Sequence, residues 1–180
     1  DGCNFRISGL RVNQKVSGMP AGLFGFVGEG AVIKEVVIDG IAITSSSYYT
    51  GAVAGDAKGS VIEDCVVTSA EISNTGAPAS GDLKDNSLTG GIVGHAYEGA
   101  VRNCSFDGTV YASTHRSGGI VGVASSSETG FVRVENCTFS GNVSTGWIAG
   151  GIVGFCRGGA EIVGCTCRGS VSATGNSAGG

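Results

Sequence analysis

Two short patterns of apolar residues recur along the chain. The first is an apolar pair bracketed by small residues, mostly glycine, and its five copies lie at residues 22–25, 52–55, 91–94, 119–122 and 151–154. Their closing glycines are 30, 39, 28 and 32 residues apart. Repetition at such a period is the sequence signature of a solenoid or of another repeat architecture.

The second pattern follows each copy of the first and alternates apolar with polar residues. Val36 and Ile38 form one such pair, and Cys104 and Phe106 form another. Alternation with a period of two predicts strands. Glycine contributes 34 of the 180 residues, and it would disfavour a helix by about 1 kcal/mol per site. The pattern therefore predicts strands and turns without helices.

One position next to this alternating block predicts a sharp corner in every repeat. It is occupied by Asn4, Glu35, Asp64, Asn103, Asn136 and Gly164. Asn, Asp and Gly tolerate the left-handed αL region that such a corner needs, and Glu35 is the exception.

Together these patterns predict an all-β fold, a parallel β-solenoid (parallel β-helix) of five to six coils with 28–32 residues each. Successive coils would stack about 4.8 Å apart, and right-handed crossovers are expected. An antiparallel sandwich with accidental repetition is the alternative. Because the chain begins and ends inside a repeat, residues 1–180 are expected to be one domain cut from a longer array. An insertion at 74–88 explains the 39-residue spacing.

Four of the seven cysteines share one repeat position, which Val36 occupies in another copy. This equivalence predicts that they act as small hydrophobic residues of the core. The predicted core ladder consists of Cys65, Cys104, Cys137, Cys165, Phe106 and Phe139. A disulfide inside the ladder is the alternative, since stacked Cα atoms would lie within bridging distance. No metal site is expected, because Cys165-x-Cys167 is too short for a zinc CxxC motif. Cys3 and Cys156 fall outside the ladder and are expected to be exposed.

The Gly-Ile-Val-Gly blocks at residues 91–94, 119–122 and 151–154 resemble the GLUG motif repeat. The block at 52–55 departs from this pattern because Ala52 replaces the first glycine. The resemblance covers nearly the whole chain. The family occurs in bacterial surface adhesins and in non-catalytic regions of immunoglobulin A-cleaving metallopeptidases. The resemblance therefore implies an extracellular repeat module, and it supplies no catalytic residues.

Charge and hydropathy argue against two classes of partner. Eleven basic and fifteen acidic residues give a net charge of −4, so no nucleic-acid footprint is expected. The sequence has no run of eighteen apolar residues, so no membrane-spanning helix is expected.

Candidate catalytic chemistry is sparse. His95 and His115 belong to no metal-ligand or nucleophile motif and are predicted to be solvent-exposed turn histidines. No catalytic residue, metal or cofactor is predicted. The alternative is a carbohydrate-active β-helix, a lyase or hydrolase, with Asp39, Asp107 and Arg168 in one exposed column. Carboxylates two coils apart would be about 10 Å from each other, which is within the range for inverting glycosidases.

Candidate binding residues come from the insertion and from aromatic residues outside the core columns. They are Asp82, Asp85, Asn86, Tyr97, Tyr111 and Trp147. Insertions in solenoids loop out on one face and often carry binding, and exposed Tyr and Trp suit contacts with sugars or proteins.

The sequence as a whole predicts a non-catalytic extracellular repeat module of a bacterial surface or secreted protein, an adhesin-like stalk or binding scaffold. The expected partners are a host or cell-surface protein or glycan. Open solenoid ends expose unpaired strands, so end-on contact with adjacent domains or with a second copy is expected too. An ice-binding solenoid would need a regular threonine ladder, which Thr138 and Thr166 provide over only part of the rod.

Overall fold

The computed structural model describes residues 1–16, 18–76, 87–175 and 177–180. Within these ranges all regular secondary structure is extended, and there are 21 strands and no helix. In chain order the strands are β1 (Arg6–Ser8), β2 (Arg11–Gln14), β3 (Phe24–Val27), β4 (Val32–Lys34), β5 (Val37–Asp39), β6 (Ala42–Ser45), β7 (Tyr49–Thr50), β8 (Ala54–Glu63), β9 (Val66–Asn74), β10 (Leu88–Gly90), β11 (Val93–Arg102), β12 (Ser105–Ala112), β13 (Arg116–Gly118), β14 (Val121–Ser125), β15 (Val132–Glu135), β16 (Thr138–Thr145), β17 (Ile148–Gly150), β18 (Val153–Arg157), β19 (Ala160–Val163), β20 (Thr166–Ala173) and β21 (Ser177–Gly179).

The described strands form three sheets in which neighbouring strands run parallel. Sheet A contains β1, β2, β5, β6, β9, β12, β16 and β20. Sheet B contains β7, β10, β13, β17 and β21, and sheet C contains β3, β4, β8, β11, β14, β15, β18 and β19. The predicted parallel β-solenoid is therefore confirmed, with about five turns, and the antiparallel sandwich is wrong. The right hand of the coil stays a prediction.

The coil that begins with β11 illustrates the path of the chain. β11 runs in sheet C, the chain turns at Asn103, and β12 runs in sheet A. After the bend at 113–115, β13 runs in sheet B. The glycine block at 119–122 then leads into β14, which pairs with β11 in sheet C. One coil thus visits sheets C, A and B in that order.

The predicted corner between sheets C and A is confirmed in every copy. Its six residues have positive φ angles: Asn4 57°, Glu35 55°, Asp64 52°, Asn103 53°, Asn136 51° and Gly164 65°. Glu has no preference for positive φ, so the position of Glu35 in the coil imposes the αL conformation on it. The αL conformation costs an ordinary L-residue roughly 1–2 kcal/mol, so this one corner is strained.

The core ladder lies inside the coil, as predicted. Cys65, Cys104 and Cys137 are buried, whereas Cys165 is half-buried on the last coil. The Phe106 and Phe139 rings stack with their centroids 6.0 Å apart. The seven cysteines all lie in described residues and carry free thiols, so the structure does not adopt the disulfide alternative. Cys3 and Cys156 are exposed, as expected.

The glycine blocks bring sheet B close to sheet C and leave room for the core aromatics. A Cβ atom on Gly91 would lie 2.7 Å from Cγ of Phe106 and would also collide with the carbonyl oxygen of Gly119. The copy that carries Ala52 in place of this glycine has Val67 in the column of Phe106. In this coil the larger block residue, Ala52 in place of glycine, is therefore accompanied by a smaller core side chain, Val67 in place of phenylalanine.

Apolar side chains are exposed on the first and last described coils. Phe5 is 80% exposed, although its equivalent in the next coil, Val36, is buried. An open apolar depression of about 320 Å³ lies beside Phe5, Leu23 and Phe24. At the other end Ile162 is 45% exposed. Among the described residues no helix has the length and hydropathy that a bilayer crossing would need.

Candidate functional site

Two columns of side chains face each other where sheet B packs against sheet C, and we call this surface the B–C corner. The column on sheet C is Phe26, Asp56, His95, Val123 and Phe155. The column on sheet B is Tyr49, Leu88, Arg116, Ile148 and Ser177. Tyr49 of β7 stacks on His95 of β11 with the ring centroids 4.9 Å apart. Arg116 of β13 likewise lies over Phe155 of β18, 4.3 Å from its ring centroid.

A hydrogen-bonded chain of three side chains runs across the first part of the B–C corner. His95 Nδ1 lies 2.9 Å from Asp56 Oδ1, and His95 Nε2 lies 2.7 Å from Ser125 Oγ. If the ring donates from Nδ1 to the carboxylate, the Ser125 hydroxyl donates to Nε2. The His95 side chain is 16% exposed. The prediction of an exposed turn histidine is therefore wrong, because His95 lies in β11 between Tyr49, Asp56 and Ser125.

A shallow open depression of about 250 Å³ lies beside this chain. It is lined by Asp56, Lys58, His95 and Tyr97. The Lys58 ammonium lies 5.8 Å from the centroid of the Tyr97 ring. The depression therefore combines one aromatic ring with a cation, a carboxylate and an imidazole. Binding at Tyr97 stays a prediction, but the structure places that residue among polar groups that sequence analysis did not connect with it.

A second cluster surrounds Arg116 further along the B–C corner. The guanidinium lies 5.3 Å from the ring centroid of Trp147 and 4.3 Å from that of Phe155. His115 meets Trp147 edge-on, with the ring centroids 5.8 Å apart. Trp147 and His115 also line a depression of about 220 Å³ with Ser113.

His115 is only 6% exposed, so the prediction of a solvent-exposed histidine is wrong here too. It does lie in a bend, between β12 and β13, but Trp147 of the next coil covers it. Burial lowers the pKa of His115, and the nearby positive charge of Arg116 lowers it further. His115 Nδ1 is buried without a hydrogen-bond partner in the described structure.

The other predicted binding residues lie elsewhere. Tyr111 is 43% exposed in β12 of sheet A, away from Tyr97 on sheet C. Asp82, Asp85 and Asn86 lie outside the described residues. The two ends of the predicted insertion, Asn74 and Leu88, are buried strand residues of β9 and β10. The structure thus brings Tyr97 and Trp147 to the same corner and leaves Tyr111 on another face.

The column proposed for a glycosidase keeps its predicted register only in part. Asp39 is level with Thr68, and Asp107 with Ser140 and Arg168, but the register between β9 and β12 shifts at Asp107, so Thr68 and Asp107 are not paired. Asp39 accepts hydrogen bonds from Thr68 and Arg6, both at 2.9 Å. These contacts, Thr68 first, hold the pKa of Asp39 below its usual value.

A general acid of a glycosidase needs the opposite, a raised pKa. Asp39 is therefore unsuited to that role. In the described ranges no group of three or more His, Cys, Asp or Glu residues is arranged to hold a metal ion.

Comparison with known protein families supports the repeat assigned from the glycine blocks. The family model of the GLUG motif matches residues 85–111. This segment contains the glycine block at 91–94, the corner at Asn103 and the core residues Cys104 and Phe106. No curated protein and no solved structure matches the chain. The chain therefore carries the GLUG motif at residues 85–111, within a solenoid whose neighbouring coils repeat the same block in register.

Proposed function

We propose that this solenoid is a non-catalytic extracellular module of a bacterial surface or secreted protein, which binds a glycan at the B–C corner. The observation that carries the proposal is the open depression at Tyr97, lined by Asp56, Lys58 and His95. An extended scaffold that holds such groups on its outer side is suited to binding a polymer. The GLUG motif supports the role of a repeat module, because the GLUG-repeat proteins that this chain resembles carry such repeats outside their catalytic regions.

The composition of the depression favours a sugar. An aromatic ring offers a flat apolar surface with a polar tip, and sugar rings have apolar C–H faces bordered by hydroxyl groups. Asp56 can accept hydrogen bonds from hydroxyls, and Lys58 can donate them. The bonds from His95 to Asp56 and Ser125 hold the imidazole in one orientation, so little side-chain entropy is lost on binding.

A hydrolase is the second candidate, because Asp56, His95 and Ser125 are connected in the order found in serine hydrolases. The surroundings of Ser125 argue against it. Ser125 is 8% exposed, and the N–H of Ser126 already donates to the carbonyl of Arg157 at 3.0 Å. An oxyanion hole uses such a backbone donor, and loss of one donor lowers the rate by about 10²- to 10³-fold. The same three residues serve better to position His95 for binding.

The test compares two tyrosines in a binding assay against immobilised glycans. We expect Tyr97→Ala to weaken binding about two- to tenfold, as loss of one aromatic stacking contact does. Tyr111→Ala removes a more exposed tyrosine ring from sheet A and should leave binding unchanged. Equal losses in both variants, or no glycan bound by the unaltered chain, would contradict the proposal.

Ser125→Ala separates binding from hydrolysis. We expect the variant to keep most of its glycan binding, since Ser125 does not line the depression and the hydrogen bond between His95 and Asp56 still orients the imidazole. Cleavage of a glycoside or ester substrate by the unaltered chain, with loss of that cleavage in Ser125→Ala, would favour the hydrolase instead.

A further inference from the structure

We propose that Arg116 and Arg157, together with Trp147, form a second site on the B–C corner that binds a carboxylate or sulfate group of an acidic polysaccharide. This inference rests on the proposed function, because it assumes that the ligand is a glycan. It goes further by specifying that the glycan is acidic. Carboxylate and sulfate groups on a sugar are both oxyanions, and a guanidinium recognises such a group by paired hydrogen bonds.

Arg116 and Arg157 differ from three of the other arginines on this solenoid. Arg6, Arg102 and Arg133 each pair with a carboxylate on a neighbouring coil, at nitrogen–oxygen distances of 2.9, 2.6 and 2.6 Å. Within residues 1–16, 18–76, 87–175 and 177–180, Arg116 and Arg157 contact no carboxylate. Two neighbouring cations thus lie together without an ion-pair partner among the described residues.

The setting of Arg116 is unfavourable unless an anion is present. Its Nε atom is buried without a hydrogen-bond partner in the part of the chain that the structure describes. Burial lowers the pKa of Arg116, and repulsion from Arg157 lowers it further. An oxyanion would relieve both effects, because it supplies acceptors and compensates the charge.

The two aromatic rings hold the guanidinium in place. Trp147 and Phe155 both lie within 5.3 Å of its central carbon, and stacking of this kind limits the rotamers of the side chain. Phe155 and Arg157 are two residues apart in β18 and therefore point to the same face of sheet C. Both cations consequently belong to one surface.

This surface continues into the depression at Tyr97. Lys58, Tyr97, Ser125 and Arg157 are level with one another on four successive coils. At about 4.8 Å per coil, Tyr97 and Arg157 lie roughly 10 Å apart along the axis. A single polysaccharide chain running along the rod would thus contact Tyr97 and present an acidic group to Arg157 and Arg116.

The experiment uses Trp147, the only tryptophan of the chain, as a fluorescent reporter. The probes are an oligogalacturonate, a sulfated oligosaccharide and a neutral oligosaccharide of the same length, titrated at constant ionic strength. We expect at least one acidic probe to change the Trp147 emission saturably and the neutral probe to leave it unchanged. Comparison of the two acidic probes distinguishes a carboxylate from a sulfate ligand.

The variants are matched for charge. Arg116→Met should weaken acidic binding about ten- to hundredfold, as loss of a charged hydrogen bond does. Arg116→Lys should recover part of this loss, because it keeps the charge but not the paired geometry. Arg168→Met removes the same charge from sheet A and should leave affinity unchanged. Arg157→Met alters an exposed residue, so it tests the site even if Arg116→Met fails to fold.

Several outcomes would overturn the proposal. Equal losses in Arg168→Met and Arg116→Met would indicate attraction to net charge alone. A lack of response to both acidic probes would exclude the site. If Asp82→Asn with Asp85→Asn altered the ligand-free emission and created a response that the unaltered chain lacks, the occupant would be a carboxylate of this chain.

Tyr97→Ala separates the two proposals. It should weaken binding of the neutral oligosaccharide about two- to tenfold in the glycan assay, while a single-residue acidic sugar still changes the Trp147 emission to the same extent. Failure of the glycan assay alone therefore rejects the depression at Tyr97. Failure of the fluorescence titration alone rejects the arginine site.

Discussion

At the scale of single residues, stacking constrains pairs of positions rather than single positions. Gly91 lies against Phe106, and a Cβ atom at Gly91 would approach the ring to 2.7 Å. The coil with Ala52 has Val67 in the aromatic column instead. The departure from the glycine motif at Ala52 is thus matched by a smaller core residue in the same coil.

This pairing makes a prediction that a double-mutant cycle can test. Gly91→Ala should lower the free energy of unfolding by about 1–3 kcal/mol, because the added methyl group overpacks the core. Phe106→Val should also destabilise, since it leaves a cavity. The double variant should lose about 1 kcal/mol less free energy of unfolding than the sum of the two single losses, because residues in contact usually couple. Denaturant unfolding provides the measurement, and strictly additive losses would contradict the pairing.

The core columns could be predicted from the sequence because every coil repeats them. Cys104 and Phe106 have equivalents on neighbouring coils, and their shared chemistry revealed the inward side. His95 and His115 occur once each, and their partners come from another sheet. Tyr49 of β7 reaches His95 of β11, and Trp147 covers His115 from the next coil. An alignment of repeats contains no information on such contacts between sheets, so the B–C corner was not predicted.

At the scale of the element, the corner between sheets C and A decides where strands begin and end. The corner residues also form a polar ladder on the surface: Asn103 Nδ2 donates to Asp64 Oδ1 at 3.1 Å, and Asn136 Nδ2 donates to Asn103 Oδ1 at 3.4 Å. The preference of Asn and Asp for αL predicted this corner. Glu35 shows that the coil imposes it even on a residue without that preference.

Glu35→Asn should therefore stabilise the protein. The φ of 55° at this position suits Asn better than Glu, and we expect the free energy of unfolding to rise by roughly 0.5–1 kcal/mol. The midpoint of urea unfolding reports the change. Glu128→Asn makes the same charge change at an exposed position without a positive φ, and it should have little effect. An equal shift in both variants would point to charge and not to the backbone.

At the scale of the whole molecule, the repeat predicted the solenoid, the parallel register and the position of the core. It did not reveal what covers the two ends. Phe5 is 80% exposed because none of the described coils stacks on it, while Val36 at the equivalent position is buried. Unpaired strand edges and exposed core residues favour association with another segment.

We expect residues 1–180 alone to associate end to end in a concentration-dependent manner. Sedimentation velocity should show larger species at higher concentration, and Phe5→Glu should reduce them by placing a charge on the open end. Phe131→Glu is the matched control, because Phe131 is 47% exposed but lies on a coil with others stacked on both sides. An equal effect of the two substitutions would show that the contact does not involve the end.

The direction of the backbone hydrogen bonds has a mechanical consequence. In each sheet they link one coil to the next and so run along the rod, and the free cysteines add no covalent crosslink to them. A tensile force applied to the two ends would open the terminal coil first and then each following coil in turn. Each step would release 28–39 residues, or roughly 100–130 Å of extended chain. The rod would therefore yield under load in a series of similar increments and limit the force that reaches whatever it is attached to.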